Sequence, residues 1–179
     1  LNRRFSPSAQ RARDIIADHQ NPLMIIYRMN AGYLPPDHWT QTEEGGGRII
    51  GEACHVLDLF QFLVGAPATE INVTMLKPKT DHILPSDNMV ITLRYEDGSV
   101  ATLLYTALGP SDMGKEYAEI YVDGKTLIID DYKSLKIMGA KYKGWKGNSQ
   151  DKGHLEELKR FAMFLRGVGN PPIPLKELY

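Results

Sequence analysis

The segment EYAEIYVDGKTLIID, residues 116–130, predicts a β-hairpin. Two runs rich in aromatic and β-branched residues flank Asp123-Gly124, a dipeptide typical of two-residue hairpin turns. Residues 88–107 repeat this arrangement around Asp97-Gly98. Hairpin-linked strands are antiparallel neighbours, so the middle of the chain predicts an antiparallel sheet.

Helical patterns lie on both sides of these strands. Ser6-Pro7 is typical of a helix start, because the hydroxyl caps the first turn and proline is tolerated there. The predicted helices cover residues 9–18, 48–64 and 153–168, and the predicted strands cover residues 22–30, 70–77, 88–95, 99–107, 116–122, 125–130 and 134–138. This order indicates an α+β fold, with a mainly antiparallel open sheet of about six strands and helices packed on one face.

The composition is that of an ordinary globular domain. The chain has 179 residues, 42% of them hydrophobic, and its 21 basic and 22 acidic side chains give a net charge of −1. A near-neutral chain has no one-signed field for nucleic acid or an anionic membrane, so neither partner is expected. No apolar run reaches the roughly 18–20 residues that span a bilayer. The single cysteine, Cys54, and the lack of a signal segment favour a cytoplasmic location.

The two ends of the chain predict a piece of a longer protein. The chain begins at Leu1 and stops just after the apolar run PPIPL at residues 171–175, whereas natural termini tend to be polar and frayed. We therefore expect residues 1–179 to form one domain whose partner domain lies elsewhere.

The residues that carry chemistry concentrate in the segment GGGRIIGEACHVLD, residues 45–58. On the predicted helix, Arg48, Glu52 and His55 lie opposite an apolar stripe. Residues three or four apart on a helix meet, so Glu52 and Asp58 are both placed to contact the His55 ring. A histidine flanked by carboxylates is typical of a general acid–base group. The predicted apolar stripe consists of Ile50, Ala53, Cys54, Leu57, Gln61 and Val64.

A solvated polar face is the alternative for the same residues, because charged side chains opposite an apolar stripe are usually exposed. However, Leu59 and Phe62 lie on that side too, and two large hydrophobes are unusual on a solvated face. We therefore expect a second layer to cover this side, with the polar residues forming the floor of a pocket.

This segment resembles a motif of a known family. Three glycines, His55 and Asp58 follow the spacing of the pattern Gly-Gly-Gly-x3-Asp-x3-His-x2-Asp in the substrate domain of the Gfo/Idh/MocA oxidoreductases, which include glucose–fructose oxidoreductase and inositol dehydrogenases. The opening NRRFSP, residues 2–7, is similar to the family's crossover out of its Rossmann domain, and the element order is similar nearly end to end. One position departs from the pattern, since Gly51 replaces the aspartate and the acid, Glu52, follows it.

The resemblance implies both a fold and an activity. The fold is an α+β domain like the C-terminal domain of glyceraldehyde-3-phosphate dehydrogenase, joined to an N-terminal Rossmann domain that holds most of the NAD or NADP. His55 would act as acid–base on a sugar or polyol hydroxyl during hydride transfer, with Glu52 as the second catalytic candidate. Such domains often dimerise, so we expect a homo-oligomer through the sheet face. The chain alone is expected to be inactive, because it has no G-x-G-x-x-G turn.

Further candidate site residues lie around this segment. The predicted substrate-binding residues are Asn30, Trp39, Arg48 and Asp58. Asn30 is equally suited to bonding loop backbone, and Trp39 to packing its loop against the helix. Arg4 is the candidate for a cofactor phosphate, and Lys115 is a second cation that could reach one. No metal site is expected, because Cys54 and His55 point to different sides of the helix.

Two other functions stay open. Gly51 at the aspartate position is consistent with a non-catalytic relative that binds sugars or forms oligomers. A stand-alone hydrolase that uses Glu52 and His55 is the third hypothesis. A set of tyrosines is suited either to a partner interface or to burial under a helix, namely Tyr95, Tyr105, Tyr117 and Tyr121.

Overall fold

A computed structural model describes residues 1–177. Its helices and strands are α1 Pro7–Ile16, β1 Met24–Asn30, α2 Cys54–Val64, β2 Ala68–Met75, β3 Met89–Tyr95, β4 Val100–Thr106, β5 Glu116–Val122, β6 Lys125–Asp130, β7 Ser134–Met138, β8 Trp145–Lys146 and α3 His154–Leu165. A π-helical segment, Ile49–Ala53, precedes α2, and a 3-10 turn, Asn2–Phe5, precedes α1. The α+β class is confirmed.

The eight strands of the described residues form one open sheet in the order β2-β3-β4-β1-β5-β6-β7-β8. Neighbouring strands are antiparallel, except that β1 runs parallel to β4. Asp123 and Gly124 have φ angles of 46° and 72°, the left-handed conformation that a tight hairpin turn needs. The sheet exceeds the predicted six or so strands partly because Trp145–Lys146, within a predicted loop, adds a short edge strand.

One face of the sheet carries the hydrophobic core. Inward side chains of the central strands, such as Tyr27, Leu103 and Ile120, are at most 1% exposed. They pack with residues of α1 and α2, including Ile16 and Phe60. Full burial of a large apolar side chain stabilises a fold by about 1.5–3 kcal/mol. Helices packed on one face of the sheet are therefore confirmed.

The tyrosines divide between the two faces of the sheet. Tyr95 and Tyr105 occupy inward positions and are buried, whereas Tyr117 and Tyr121 occupy outward positions. Successive residues of a strand point to opposite faces, so register alone decides which tyrosines are buried. Burial under a helix therefore applies to Tyr95 and Tyr105, whereas a partner interface stays a prediction for Tyr117 and Tyr121.

The start of the second predicted helix differs from the prediction. Because Ile49–Ala53 is π-helical, its residues are rotated relative to a regular α-helix, and Ile50 is 71% exposed. The predicted apolar stripe is wrong at Ile50, and Cys54, Leu57 and Gln61 are only partly buried. The buried residues of this segment from Ala53 onwards are Ala53, Val56, Asp58, Leu59, Phe60, Leu63 and Val64.

The second layer expected over Leu59 and Phe62 is present. The N-terminal turn Asn2–Phe5 lies against α2, and the Arg4 guanidinium stands 5.4 Å from the centre of the Phe62 ring. Leu59 is fully buried. The N-terminal turn therefore covers part of the polar side of α2, while Glu52, His55 and Phe62 stay partly exposed.

The third helix, α3, forms as predicted, but its apolar stripe is uncovered within residues 1–177. Leu155, Leu158 and Leu165 are 65%, 64% and 68% exposed. No helix in the described part of the chain combines the length and the apolarity needed to cross a bilayer.

Candidate functional site

Three glycines turn the chain into the helix that carries the candidate site. Gly46 and Gly47 have φ angles of 70° and 67°, in the left-handed region that favours glycine. A Cβ at Gly45 would lie 2.3 Å from the Trp39 carbonyl oxygen, so a larger residue cannot fit without a backbone shift. The π-helical segment Ile49–Ala53 follows, and such segments frequently mark functional sites.

Glu52 lies in the π-helical segment and is held by two partners. Its Oε1 is 2.5 Å from the Lys115 Nζ, and its Oε2 accepts a hydrogen bond of 2.6 Å from the Tyr105 hydroxyl. Burial disfavours the charged carboxylate, but the bonds from Lys115 and Tyr105 outweigh it and lower the pKa of Glu52. The carboxylate is therefore ionised and fixed between an ammonium and a hydroxyl.

Arg48 is buried and braces the loop around the site. Its Nη2 donates to the Gly32 carbonyl at 2.7 Å, and its Nε lies 3.4 Å from Asp87 Oδ2. Gln41 Nε2 donates to the same Asp87 oxygen at 2.7 Å, and Arg48 Nη1 lies 3.9 Å from Glu52 Oε2. The structure thus places Arg48 beside Glu52 and among protein partners, and its contact with substrate stays a prediction.

His55 lies one turn after Glu52. Its Nδ1 is buried and has no hydrogen-bond partner among residues 1–177. Burial, with the nearby positive charge of Arg3, lowers the pKa of His55 to about 4. The ring is therefore neutral at pH 7. The structure forms no hydrogen bond between the ring and Glu52 or Asp58 within the described chain.

Asp58 makes a buried ion pair instead of the expected contact with His55. Its two carboxylate oxygens accept hydrogen bonds of 2.8 Å and 2.6 Å from Arg4 Nε and Nη2. Arg4 Nη1 donates to Glu177 at 2.8 Å. The side chains of Arg4 and Asp58 are only 4% and 3% exposed. This geometry favours a structural role for both residues, and their binding of cofactor or substrate stays a prediction.

Asn30 and Trp39 have different surroundings. Asn30, at the end of β1, donates from Nδ2 to the Pro110 carbonyl at 2.8 Å, while its Oδ1 is buried without a partner. It therefore holds the loop after β4. The Trp39 side chain is 67% exposed, so it does not pack its loop against the helix, and its ring is open for stacking.

A buried charge network that the sequence analysis missed lies next to the site. Glu116 Oε2 accepts hydrogen bonds from Arg3 Nε at 2.7 Å and from the Tyr27 hydroxyl at 2.5 Å. Lys152 Nζ lies 2.6 Å from Glu116 Oε1. Burial opposes ionisation, but the bond and charge of Arg3, with Lys152, lower the pKa of Glu116 to about 2. The network joins the N-terminal turn to the start of β5.

The sequence did contain a signal for this network. Glu116 alternates along β5 with Ala118, Ile120 and Val122, all of which are buried. A carboxylate at an inward strand position needs a buried cation. Tyr105 was missed as a site residue in the same way, because an inward tyrosine needs a partner for its hydroxyl.

Neither a metal site nor a dinucleotide-binding unit is formed by the part of the chain that the structure describes. Within residues 1–177, no three or more His, Cys, Asp or Glu side chains are grouped to hold a metal ion. A dinucleotide pyrophosphate is held by a strand, a glycine turn and a helix in succession. Here the three glycines follow a long loop after β1, so this chain does not supply that unit.

Comparison with protein families gives a match over most of the chain. The sequence profile described as the GFO/IDH/MocA C-terminal domain matches residues 10–128. A comparison with curated proteins gives no significant match.

Solved structures share the fold at low sequence identity. WlbA dehydrogenase from Bordetella pertussis, solved with NADH and UDP-GlcNAcA, is similar with a TM-score of 0.70 and 19% identity over 98% of this chain and 55% of WlbA. UDP-N-acetylglucosamine 3-dehydrogenase GnnA from Acidithiobacillus ferrooxidans is similar with a TM-score of 0.70 and 18% identity, over 92% of this chain and 51% of GnnA. An oxidoreductase domain protein from Kribbella flavida is similar with a TM-score of 0.72 and 14% identity, over 98% of this chain and 59% of its own length.

This chain therefore spans little more than half the length of these proteins, and at these identities the similarity shows the fold alone. The family match shows more than the fold, because it covers well over half of the sequence, including the triple-glycine turn and His55. The chain belongs to the GFO/IDH/MocA C-terminal domain family.

Proposed function

We propose that this chain is the substrate-binding domain of an NAD(P)-dependent oxidoreductase that acts on a hydroxyl-bearing carbon of a sugar or polyol. The observation that carries the proposal is His55, which stands where the resembling Gfo/Idh/MocA pattern has its histidine and lies within the matched region. Two proteins with this fold support the substrate class, since one is a UDP-N-acetylglucosamine dehydrogenase and the other was solved with UDP-GlcNAcA.

His55 is the proton shuttle in this proposal. Oxidation of a carbinol removes a hydride from carbon and a proton from oxygen, and a neutral imidazole within hydrogen-bond reach accepts that proton. When bound in the full-length protein, NAD(P) accepts or supplies the hydride. The residues of this chain bind the substrate and exchange its hydroxyl proton.

In this proposal Glu52 does not contact His55 directly. Its carboxylate is bonded to Lys115 and Tyr105 and makes no hydrogen bond with His55. We therefore propose that Glu52 acts through Lys115 at the edge of the site and does not tune the imidazole directly.

The dinucleotide is held mainly by an N-terminal domain of the full-length protein in this proposal. The described residues lack the glycine turn between strand and helix, and the similar solved proteins are nearly twice as long. The isolated 179-residue chain is then inactive as an oxidoreductase.

The full-length protein forms a homo-oligomer through the outer face of the sheet in this proposal. Met24, Ile26 and Leu104 point to that face and are 57%, 46% and 41% exposed. Leu104 pairs with Val90 of β3, and Met24 with Tyr121 of β5, so exposed apolar side chains lie side by side on neighbouring strands. A contiguous apolar patch on a sheet is typical of a protein interface.

A cofactor-reduction assay tests the proposed activity. The full-length protein is mixed with NAD+ or NADP+ and a panel of sugars, polyols and sugar nucleotides, and NAD(P)H formation is followed by absorbance. We expect turnover of at least one compound by the full-length protein and none by the isolated chain. Cofactor-independent hydrolysis by the isolated chain would contradict the proposal and favour the hydrolase.

A non-catalytic sugar-binding relative is the second candidate, because Gly51 stands where the family has aspartate. Calorimetric titration with the same panel separates the two. Binding of a sugar without any NAD(P)H formation by the full-length protein would favour the non-catalytic relative.

A further inference from the structure

In the ion pair between Glu52 and Lys115, a hydrogen bond holds the Glu52 carboxylate, whereas Lys115 is partly exposed to solvent. The Lys115 side chain is 38% exposed, and that of Glu52 is 19% exposed. On the buried side, Tyr105 donates to Glu52 Oε2 at 2.6 Å. An ammonium has three donors, and Glu52 is the one side-chain partner of Lys115 within residues 1–177. Donors of the Lys115 ammonium are therefore free toward solvent.

The pair lies on the same side of the molecule as His55. Lys115 immediately precedes Glu116, whose carboxylate binds Arg3. Glu52 and His55 lie three residues apart, where the π-helical segment passes into α2. The ion pair and the imidazole are therefore about one helical turn apart.

The charges around the pair cancel. Lys115 and Arg48 are positive, and Glu52 and Asp87 are negative. Charge-balanced surroundings favour a neutral ligand over an anion. The Lys115 end of the pair is more than one-third exposed, and ion pairs exposed in this way contribute little to the free energy of unfolding.

A carboxylate beside an ammonium presents an acceptor and a donor side by side. A hydroxyl both donates and accepts, so two neighbouring hydroxyls of one ligand can bond to both groups at once. The geometry of a vicinal diol therefore complements the exposed side of this pair.

We infer that the Glu52–Lys115 pair orients the substrate by binding two neighbouring hydroxyls of a neutral sugar or polyol. The inference rests on the proposed function and deepens it, because it names which part of the substrate the domain recognises. Lys115 is the specificity-determining residue, and Tyr105 is a positioning residue that holds the Glu52 carboxylate.

The test uses the full-length protein and matched substrates. The probes are D-glucose, UDP-D-glucose and myo-inositol, each beside a monodeoxy analogue, together with D-glucuronate and UDP-D-glucuronate. Lys115→Met keeps the length of the side chain and removes its charge. Lys136→Met, at an exposed position of β7, is the matched control. Thermal melting shows that each variant is folded, and Lys115→Gln replaces Lys115→Met if the latter is not.

The expected result is a rise in KM that depends on the diol. Loss of a charged hydrogen bond weakens binding by roughly ten- to hundredfold, so Lys115→Met raises KM for the hydroxylated probe by about that factor. For the monodeoxy analogue the rise is less than about threefold, because one partner of the pair is already missing. Tyr105→Phe gives a smaller rise in KM with kcat nearly unchanged, and Lys136→Met changes neither constant.

Other outcomes overturn the inference and leave the proposed function standing. An equal rise in KM for the hydroxylated and deoxy probes shows that Lys115 does not recognise the diol. A preference for the glucuronates that disappears in Lys115→Met shows an anion site instead.

If no probe is oxidised by the wild-type protein, the proposed function fails in this form, and calorimetric titration of the same probes decides the inference. Binding that requires Lys115 and both hydroxyls supports it. Binding without that dependence, or no binding, overturns it.

Discussion

His55 and Asp58 lie one turn apart on α2, yet burial gives them opposite properties. Asp58 is paired with Arg4 through two hydrogen bonds and keeps its place in the fold as an ion pair. The His55 Nδ1 is buried without a partner, so the imidazole is neutral. The ion pair accounts for the burial of Asp58, whereas no partner within residues 1–177 accounts for the burial of the His55 Nδ1.

The His55 ring makes stability depend on pH. Its pKa is about 4 in the folded protein and about 6.5 in the unfolded chain, so between these values the unfolded chain binds more protons. Stability is therefore complete above pH 6.5 and falls by about 1 kcal/mol per pH unit as the pH drops toward 4. Urea unfolding between pH 5 and 7 should show this slope in the wild type and a smaller one in His55→Gln. Equal slopes would show that the ring is not buried as described.

Asp58 should matter for stability more than for turnover. Asp58→Asn leaves the buried Arg4 guanidinium partly uncompensated, which costs about 3 kcal/mol in the free energy of unfolding. Glu70→Gln is the control, because Glu70 pairs with Arg94 on the surface, where both side chains are more than 60% exposed. That change should cost about 1 kcal/mol or less. A loss of turnover by Asp58→Asn without loss of stability would contradict this and favour the predicted substrate-binding role of Asp58.

Among the elements, strands were predictable and the start of α2 was not. The bounds of β5, β6 and β7 match the sequence prediction residue for residue, because alternation and Asp-Gly turns are local signals. The π-helical segment Ile49–Ala53 leaves no trace in hydrophobic periodicity, so the predicted stripe was displaced. The Glu52–Lys115 contact depends on how α2 packs on the sheet, which no local pattern encodes.

Substitution by alanine should have opposite effects on stability at two glycines near this segment. Gly45→Ala places a Cβ 2.3 Å from the Trp39 carbonyl oxygen and should destabilise the protein by about 1–3 kcal/mol. Gly51→Ala meets its nearest neighbour at an ordinary 3.7 Å and, being helical, should stabilise by about 0.4–1 kcal/mol. Thermal melting compares the two variants. Equal effects of the two substitutions would contradict the described path of the glycine turn.

At the scale of the whole molecule, residues 1–177 leave apolar surface uncovered at distinct places. The outer face of the sheet exposes Met24 and Ile26, and α3 exposes Leu155 and Leu158. The Asn2 Nδ2 donates to the Lys152 carbonyl at 2.8 Å, just before α3, so this helix is close to the N-terminal turn. Surfaces of this kind usually meet another domain or another copy.

The oligomeric state tests the role of the outer sheet face. Ile26→Asp with Leu104→Asp places two charges at the centre of the apolar patch and should convert a wild-type homo-oligomer to monomer. Light scattering after size-exclusion chromatography of the full-length protein measures the mass. Ala17→Asp, at an exposed position just after α1, is the control and should leave the oligomer intact. A monomeric wild type, or an oligomer that survives the double change, would contradict an interface on this face.

The most direct measurement is the turnover number of His55→Gln in the full-length protein, with the best sugar or polyol and saturating NAD(P)+. Glutamine keeps the size and polarity of the side chain but cannot take up a proton. Loss of general-base catalysis should lower kcat by roughly 10²–10⁴-fold while the melting temperature and substrate affinity change little. A variant that retains wild-type kcat would show that the proton leaves by another route and that His55 is not the shuttle.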